Sequence, residues 1–88
     1  IFDNDIVFPR NASGIILHRD AIISKNVCIK YHVLLEEKNG SGAPVIDENF
    51  VINPYSKIIG NVHIEKNCVI GAGSIVTKDI PDNLFITI

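Results

Sequence analysis

The sequence predicts an all-β fold in which short strands wind, three to a turn, into a triangular prism. Three observations carry this. Aliphatic residues recur every six positions: Leu17, Ile23, Ile29 and Leu35, then Ile46, Ile52, Ile58, Ile64, Ile70 and Val76. A second set, mostly small or β-branched, stands four residues after most of these, at Ala21, Val27, Val33, Phe50, Ser56, Val62, Cys68, Ser74 and Ile80. Similar tetrapeptides, SKNV, DENF and EKNC, place Asn26, Asn49 and Asn67 alike. A helix at about 100° per residue would scatter a six-residue period over three directions, and a plain strand would lack the regular breaks. Each six-residue unit therefore supplies one inward aliphatic and one smaller residue near a corner.

The elements follow in order. Residues 1–15 precede the first ladder residue and are assigned to a lead-in or cap, because the open ends of a coil expose strand edges. Residues 16–80 form the coils. Asn tolerates the left-handed conformation of tight corners, so Asn26, Asn49 and Asn67 mark equivalent turns. Asn49 and Asn67 lie three units apart, whereas Asn26 and Asn49 are separated by three units plus five residues. The ladders report the same surplus, with eleven residues from Leu35 to Ile46 instead of six. Both spacings assign a five-residue insertion to 36–44, a polar, glycine-rich segment predicted to loop out. Residues 81–88 are assigned to a C-terminal tail.

Gly71-Ala72-Gly73 invites a phosphate-loop reading. It lacks the third glycine of a dinucleotide fingerprint and the GK[ST] of a P-loop, so the glycines are expected to be corner residues. Glycine also leaves backbone groups open to a ligand lying along the wall.

Composition narrows the function classes. The net charge of −2 with no basic block argues against nucleic acid as partner. No apolar run approaches the ~20 residues that span a bilayer, so no membrane insertion is expected. The start carries no signal-peptide pattern, and Cys28 and Cys68 stand apart with no CxxC, which fits a reduced, cytoplasmic protein. Lack of an initiator Met suggests part of a longer chain. Flat prism walls suit self-association, and a threefold closed form predicts a homotrimer.

The segments "GIILHRDAIISKNVCIKYHVLL", "GAPVIDENFVI" and "KIIGNVHIEKNCVIGAGSIVTKDIPDN" resemble the hexapeptide-repeat acyltransferases, nearest the branch of serine acetyltransferases and capsule or exopolysaccharide sugar O-acetyltransferases. The resemblance implies a left-handed parallel β-helix, a trimer, and acetyl-CoA as donor, with the cofactor arm along the coils between subunits. It implies backbone contacts from Ala72, flanked by Gly71 and Gly73. Lys57 and Lys78 are candidates to approach the CoA phosphates. The chain departs from the family at three places. The family's general-base His, three residues before the glycine here numbered Gly14, is Asn11. The preceding coil reads Asn53-Pro54-Tyr55 where the family carries a second Gly-Ala-Gly. Glu36-Glu37 replace a glycine pair.

A neutral amide at Asn11 takes no proton but can hydrogen-bond a substrate or an oxyanion. A replacement base is sought among the histidines, whose ordinary pKa suits the task. His32, outward and close in the chain to the loop, is the first candidate, and His18 is the second. His63 sits on another coil. The three histidines lack the close pair of a metal site, so no metal is expected, and Glu36, Glu37 and Asp47 are taken as surface charges. The predicted function is acetyl transfer from acetyl-CoA to a small hydroxylated acceptor, serine or a sugar. The alternative is a catalytically inactive trimerisation or regulatory module.

Overall fold

The computed structural model describes residues 13–82 and 85–86. Eleven strands of two or three residues each form three parallel sheets, the three walls of a prism. One wall consists of β1 (Ile16–Leu17), β4 (Leu34–Glu36), β7 (Lys57–Ile59) and β10 (Ile75–Val76). The second holds β2 (Ile22–Ile23), β5 (Val45–Ile46) and β8 (His63–Ile64). The third holds β3 (Val27–Ile29), β6 (Phe50–Ile52), β9 (Val69–Ile70) and β11 (Phe85–Ile86). The chain visits the walls in rotation, so each strand pairs with the strand one full coil away.

The six-residue ladder is the axis of this prism. Nine of its ten aliphatic residues are buried, and Leu17, on the first coil, packs against them half-buried. The second set is buried throughout, from Ala21 to Ile80. Its two serines are satisfied inside: Ser56 Oγ donates to the carbonyls of Asn53 and Gly71, and Ser74 Oγ donates to that of Ile86. A hydroxyl that reaches a corner carbonyl avoids the cost of a bare buried polar group.

The registers confirm the insertion. Leu17 pairs with Leu35 and Ile58 with Val76, each eighteen residues apart. Ile23 with Ile46, Ile29 with Ile52 and Leu35 with Ile58 are each twenty-three apart. The five extra residues leave the prism between β4 and β5, and the walls resume in phase.

The last coil holds a surprise. Ile80 bridges to Ile64, and Phe85 pairs with Val69, each at a separation of sixteen. This coil is two residues short. Ile80 thus takes the place of an inward wall residue, not of a corner residue four after Val76. The segment read from sequence as a tail returns to the prism through β11, whose Ile86 pairs with Ile70 and packs on the core.

The corners work as the asparagines imply. Asn26, Asn49 and Asn67 all have φ near +60°. Their side chains form a ladder parallel to the axis: Asn26 Nδ2 donates to Asn49 Oδ1 at 3.0 Å, and Asn49 Nδ2 to Asn67 Oδ1 at 3.1 Å. No helix among the described residues is long and apolar enough to cross a membrane.

Candidate functional site

A second corner, between the wall of β3 and the wall of β4, also runs in the left-handed conformation. Its column is Gly14, His32, Tyr55 and Gly73, with φ of 65°, 56°, 66° and 73°. Glycine occupies such a site freely, whereas an imidazole or phenol ring there is strained. The two central coils nevertheless carry rings.

These rings pack on each other. His32 stacks on Tyr55 with centroids 4.9 Å apart and planes 16° from parallel. Tyr31 stands edge-on to both, at 5.8 Å from His32 and 5.7 Å from Tyr55. The His32 ring leans over Gly14, where any Cβ would collide with its Nδ1. The backbone N–H of His32 donates to the Ser13 carbonyl, but no described residue hydrogen-bonds the imidazole. Tyr31 is 40% and Tyr55 58% exposed.

Gly71-Ala72-Gly73 turns this same corner two coils on. The pairing of Ile52 with Ile70 sets Pro54 level with Ala72 and Tyr55 level with Gly73. The Gly71 N–H donates to Ile86, its carbonyl accepts from Ser56 Oγ, and the Gly73 N–H donates to the Pro54 carbonyl. Ala72 alone of the three leaves both N–H and carbonyl unpaired among the described residues, and it is exposed. A Cβ built on Gly73 would meet nothing within 4 Å, so the space beside this corner is open. The adjacent coils are about 4.8 Å apart, which puts His32 and Ala72 within roughly 10 Å along the corner.

His18 lies elsewhere. It follows β1 at the opposite edge of the same wall from His32, so the two histidines do not share a site. Its Nδ1 accepts the Asp20 N–H at 3.0 Å. That bond leaves the proton of the neutral ring on Nε2, which faces Glu36 Oε1 at 3.7 Å and Glu37 Oε1 at 3.8 Å. His18, not His32, is the histidine beside the inserted loop. Closeness in the chain misled here, because β4 separates His32 from the loop by the width of a wall. His63 is exposed on the second wall, its backbone N–H donating to Asp79 Oδ1. Lys57 opens β7 next to the Gly73 corner, its N–H donating to Ser74, whereas Lys78 stands past β10 at the far edge of that wall. Asn11 lies outside the described residues.

Tyr31 and Tyr55 were missed by sequence reasoning. The signal was present: His32, Tyr55 and Gly73 repeat the spacings of the asparagine column, twenty-three and eighteen, and Gly14 precedes His32 by a further eighteen.

Three rotating parallel walls with a hexad core define a β-helix of hexapeptide repeats, and the comparisons agree. Residues 43–78 match the family model described as bacterial transferase hexapeptide (six repeats). The chain is 35% identical over 85 residues to the serine acetyltransferase of Buchnera aphidicola subsp. Schizaphis graminum, covering 89% of this chain and 31% of that protein. It is 35% identical over 74 residues to the serine acetyltransferase of Escherichia coli K12, covering 81% and 27%. The serine acetyltransferase isoform 3 of Entamoeba histolytica, solved in complex with cysteine, superposes with a TM-score of 0.80 at 21% identity, over 99% of this chain and 34% of that one. The chain spans about a third of the length of the curated relatives it matches. It carries the hexapeptide repeat over residues 43–78 and is similar to the hexapeptide-repeat acyltransferases, and its fold is the left-handed parallel β-helix.

Proposed function

We propose that this chain carries the transfer site of an O-acetyltransferase, which moves the acetyl group of acetyl-CoA to a hydroxyl of a small acceptor, serine or a sugar. The observation that carries this reading is one corner that presents both the imidazole of His32 and the peptide group of Ala72 with no hydrogen-bond partner among the described residues. The similarity to serine acetyltransferases supports the reaction class.

The donor arm runs past Ala72, whose N–H and carbonyl bind its amides. Gly71 and Gly73 leave the approach clear, and Lys57 and Lys78 face the phosphates from either edge of the wall. Acetyl-CoA is a substrate in this scheme. His32 accepts the proton of the acceptor hydroxyl while that oxygen attacks the thioester carbonyl. The tetrahedral oxyanion collapses, the C–S bond breaks, and the imidazolium returns its proton to the CoA thiolate. The products are an acetyl ester and free CoA, with neutral His32 restored. Asn11 has the chemistry to hydrogen-bond the oxyanion. Three copies around a threefold axis are proposed as the working assembly. The outward column Cys28, Val51, Val69 and Phe85 on one wall supports this with a continuous apolar strip.

Calorimetric titration of acetyl-CoA into the full natural chain is the first test, followed by thiol release with serine and sugar acceptors. Micromolar binding and acceptor-dependent thiol release are expected. Absence of binding would replace the enzyme by a silent β-helix module, a reading that the missing Pro54 N–H favours.

A further inference from the structure

Three features of the His32 corner bear on the acceptor. Tyr31 and Tyr55 expose ring surface on two sides of an imidazole that they also hold in place. Exposed aromatic clusters on a small domain mark contact with a ligand or partner. Two of the three rings follow a strained, left-handed backbone where the coils at either end of the column use glycine. Strain that a glycine would relieve points to a role for the rings themselves. Finally, the corner residues are Lys30, Tyr31, His32, Asn53, Pro54, Tyr55, Gly71, Ala72 and Gly73, with no carboxylate among them. The ammonium group of a serine acceptor would find no counter-charge from these residues.

We infer that this corner is a pyranose subsite, so that the acceptor is a sugar and not free serine; this deepens the acetyl-transfer reading and rests on it. A pyranose has one face of C–H groups, which carry partial positive charge, and a rim of hydroxyls. Tyr31 and Tyr55 stand at 87° to each other, so the exposed face of one ring receives the C–H face while the other flanks the rim. A rim hydroxyl then lies against His32, while the phenol hydroxyls and Asn53 bond its neighbours. The rings are rigid, so little side-chain entropy is lost on binding.

The experiment uses the full natural chain with ring-labelled tyrosine, followed by NMR during titration with a panel of methyl pyranosides. The panel includes an N-acetylated and an acidic sugar, and L-serine is titrated in parallel. Tyr31→Phe and Tyr55→Phe assign the signals. At least one pyranoside is expected to shift both ring signals, and serine neither. In turnover, Tyr55→Gly, which keeps the backbone conformation, and Tyr31→Leu should each raise the KM for that sugar about tenfold or more, with the KM for acetyl-CoA changed far less. Thiol release with serine alone would leave acetyl transfer standing and overturn the sugar subsite. Ring signals that ignore every pyranoside, or that shift only on dilution as subunits separate, would overturn it too. Ring shifts without thiol release from any acceptor would keep the subsite and sink the transfer reading.

Discussion

Asn49 donates its side-chain amide to Asn67, one coil and eighteen residues away, across 3.1 Å, while accepting from Asn26 on the coil before. One residue thus performs two tasks: it tolerates φ of 62° and links three coils. Asn49→Ala should cost about 2–3 kcal/mol, from two amide bonds and a strained backbone. Asn49→Gly should cost about 1–2 kcal/mol, because only the bonds are lost. Urea midpoints at one protein concentration check the order of the two variants; equal midpoints would show that the backbone conformation is not at stake.

Ile64 is the deepest test of the inward ladder. It is 1% exposed, pairs with Ile46 and bridges to Ile80. Ile64→Asp buries a carboxylate among aliphatic side chains and should abolish folding. Ile64→Val should fold with a loss of about 1 kcal/mol. Circular dichroism and gel filtration suffice, and a soluble, folded Ile64→Asp chain would refute the assignment.

His32→Gly keeps the left-handed corner and removes the proposed base. Turnover should fall by roughly 10²–10⁴-fold while the urea midpoint moves little. Gly14→Ala should also slow turnover, since its new methyl displaces the His32 ring. Gly73→Ala meets open space and should cost only backbone strain, on the order of 1 kcal/mol. Equal turnover in His32→Gly and the parent would rule out His32 as the base.

Pro54 and Ala72 occupy level positions on successive coils, so the corner accepts proline. Ala72→Pro should therefore fold, lose one N–H, and weaken acetyl-CoA binding about three- to tenfold. Pro54→Ala adds an N–H one coil below and should strengthen binding by a similar factor. Calorimetry on both variants decides whether backbone donors at this corner hold the donor.

Much of this was legible in the residues. The hexad from Leu17 to Val76 reveals the prism because every inward residue is aliphatic, and the asparagine spacing independently locates the insertion. The short final coil was not legible. Ile80 fits the position four after Val76 as well as it fits the wall, so composition cannot separate the two, and pairing with Ile64 decides. The site was only half visible. Ala72 stood out between its glycines, but the kinship of Tyr55 with Gly73 is conformational and leaves no trace in side-chain chemistry. His18 and His32 exchanged roles relative to the loop because a wall of three residues suffices to carry a chain to the opposite edge.

The insertion between β4 and β5 also separates two kinds of change. Leu35 still meets Ile58, and Ile23 still meets Ile46, although five residues intervene outside the prism. Lengthening such an excursion adds only a slowly growing closure entropy. The exposed segment at 37–41 is therefore a graft point, since Ala43 and Pro44 are already back in the prism: foreign sequence placed there leaves every coil in phase, and new recognition surfaces can be tried at one corner while the rest of the chain folds unchanged.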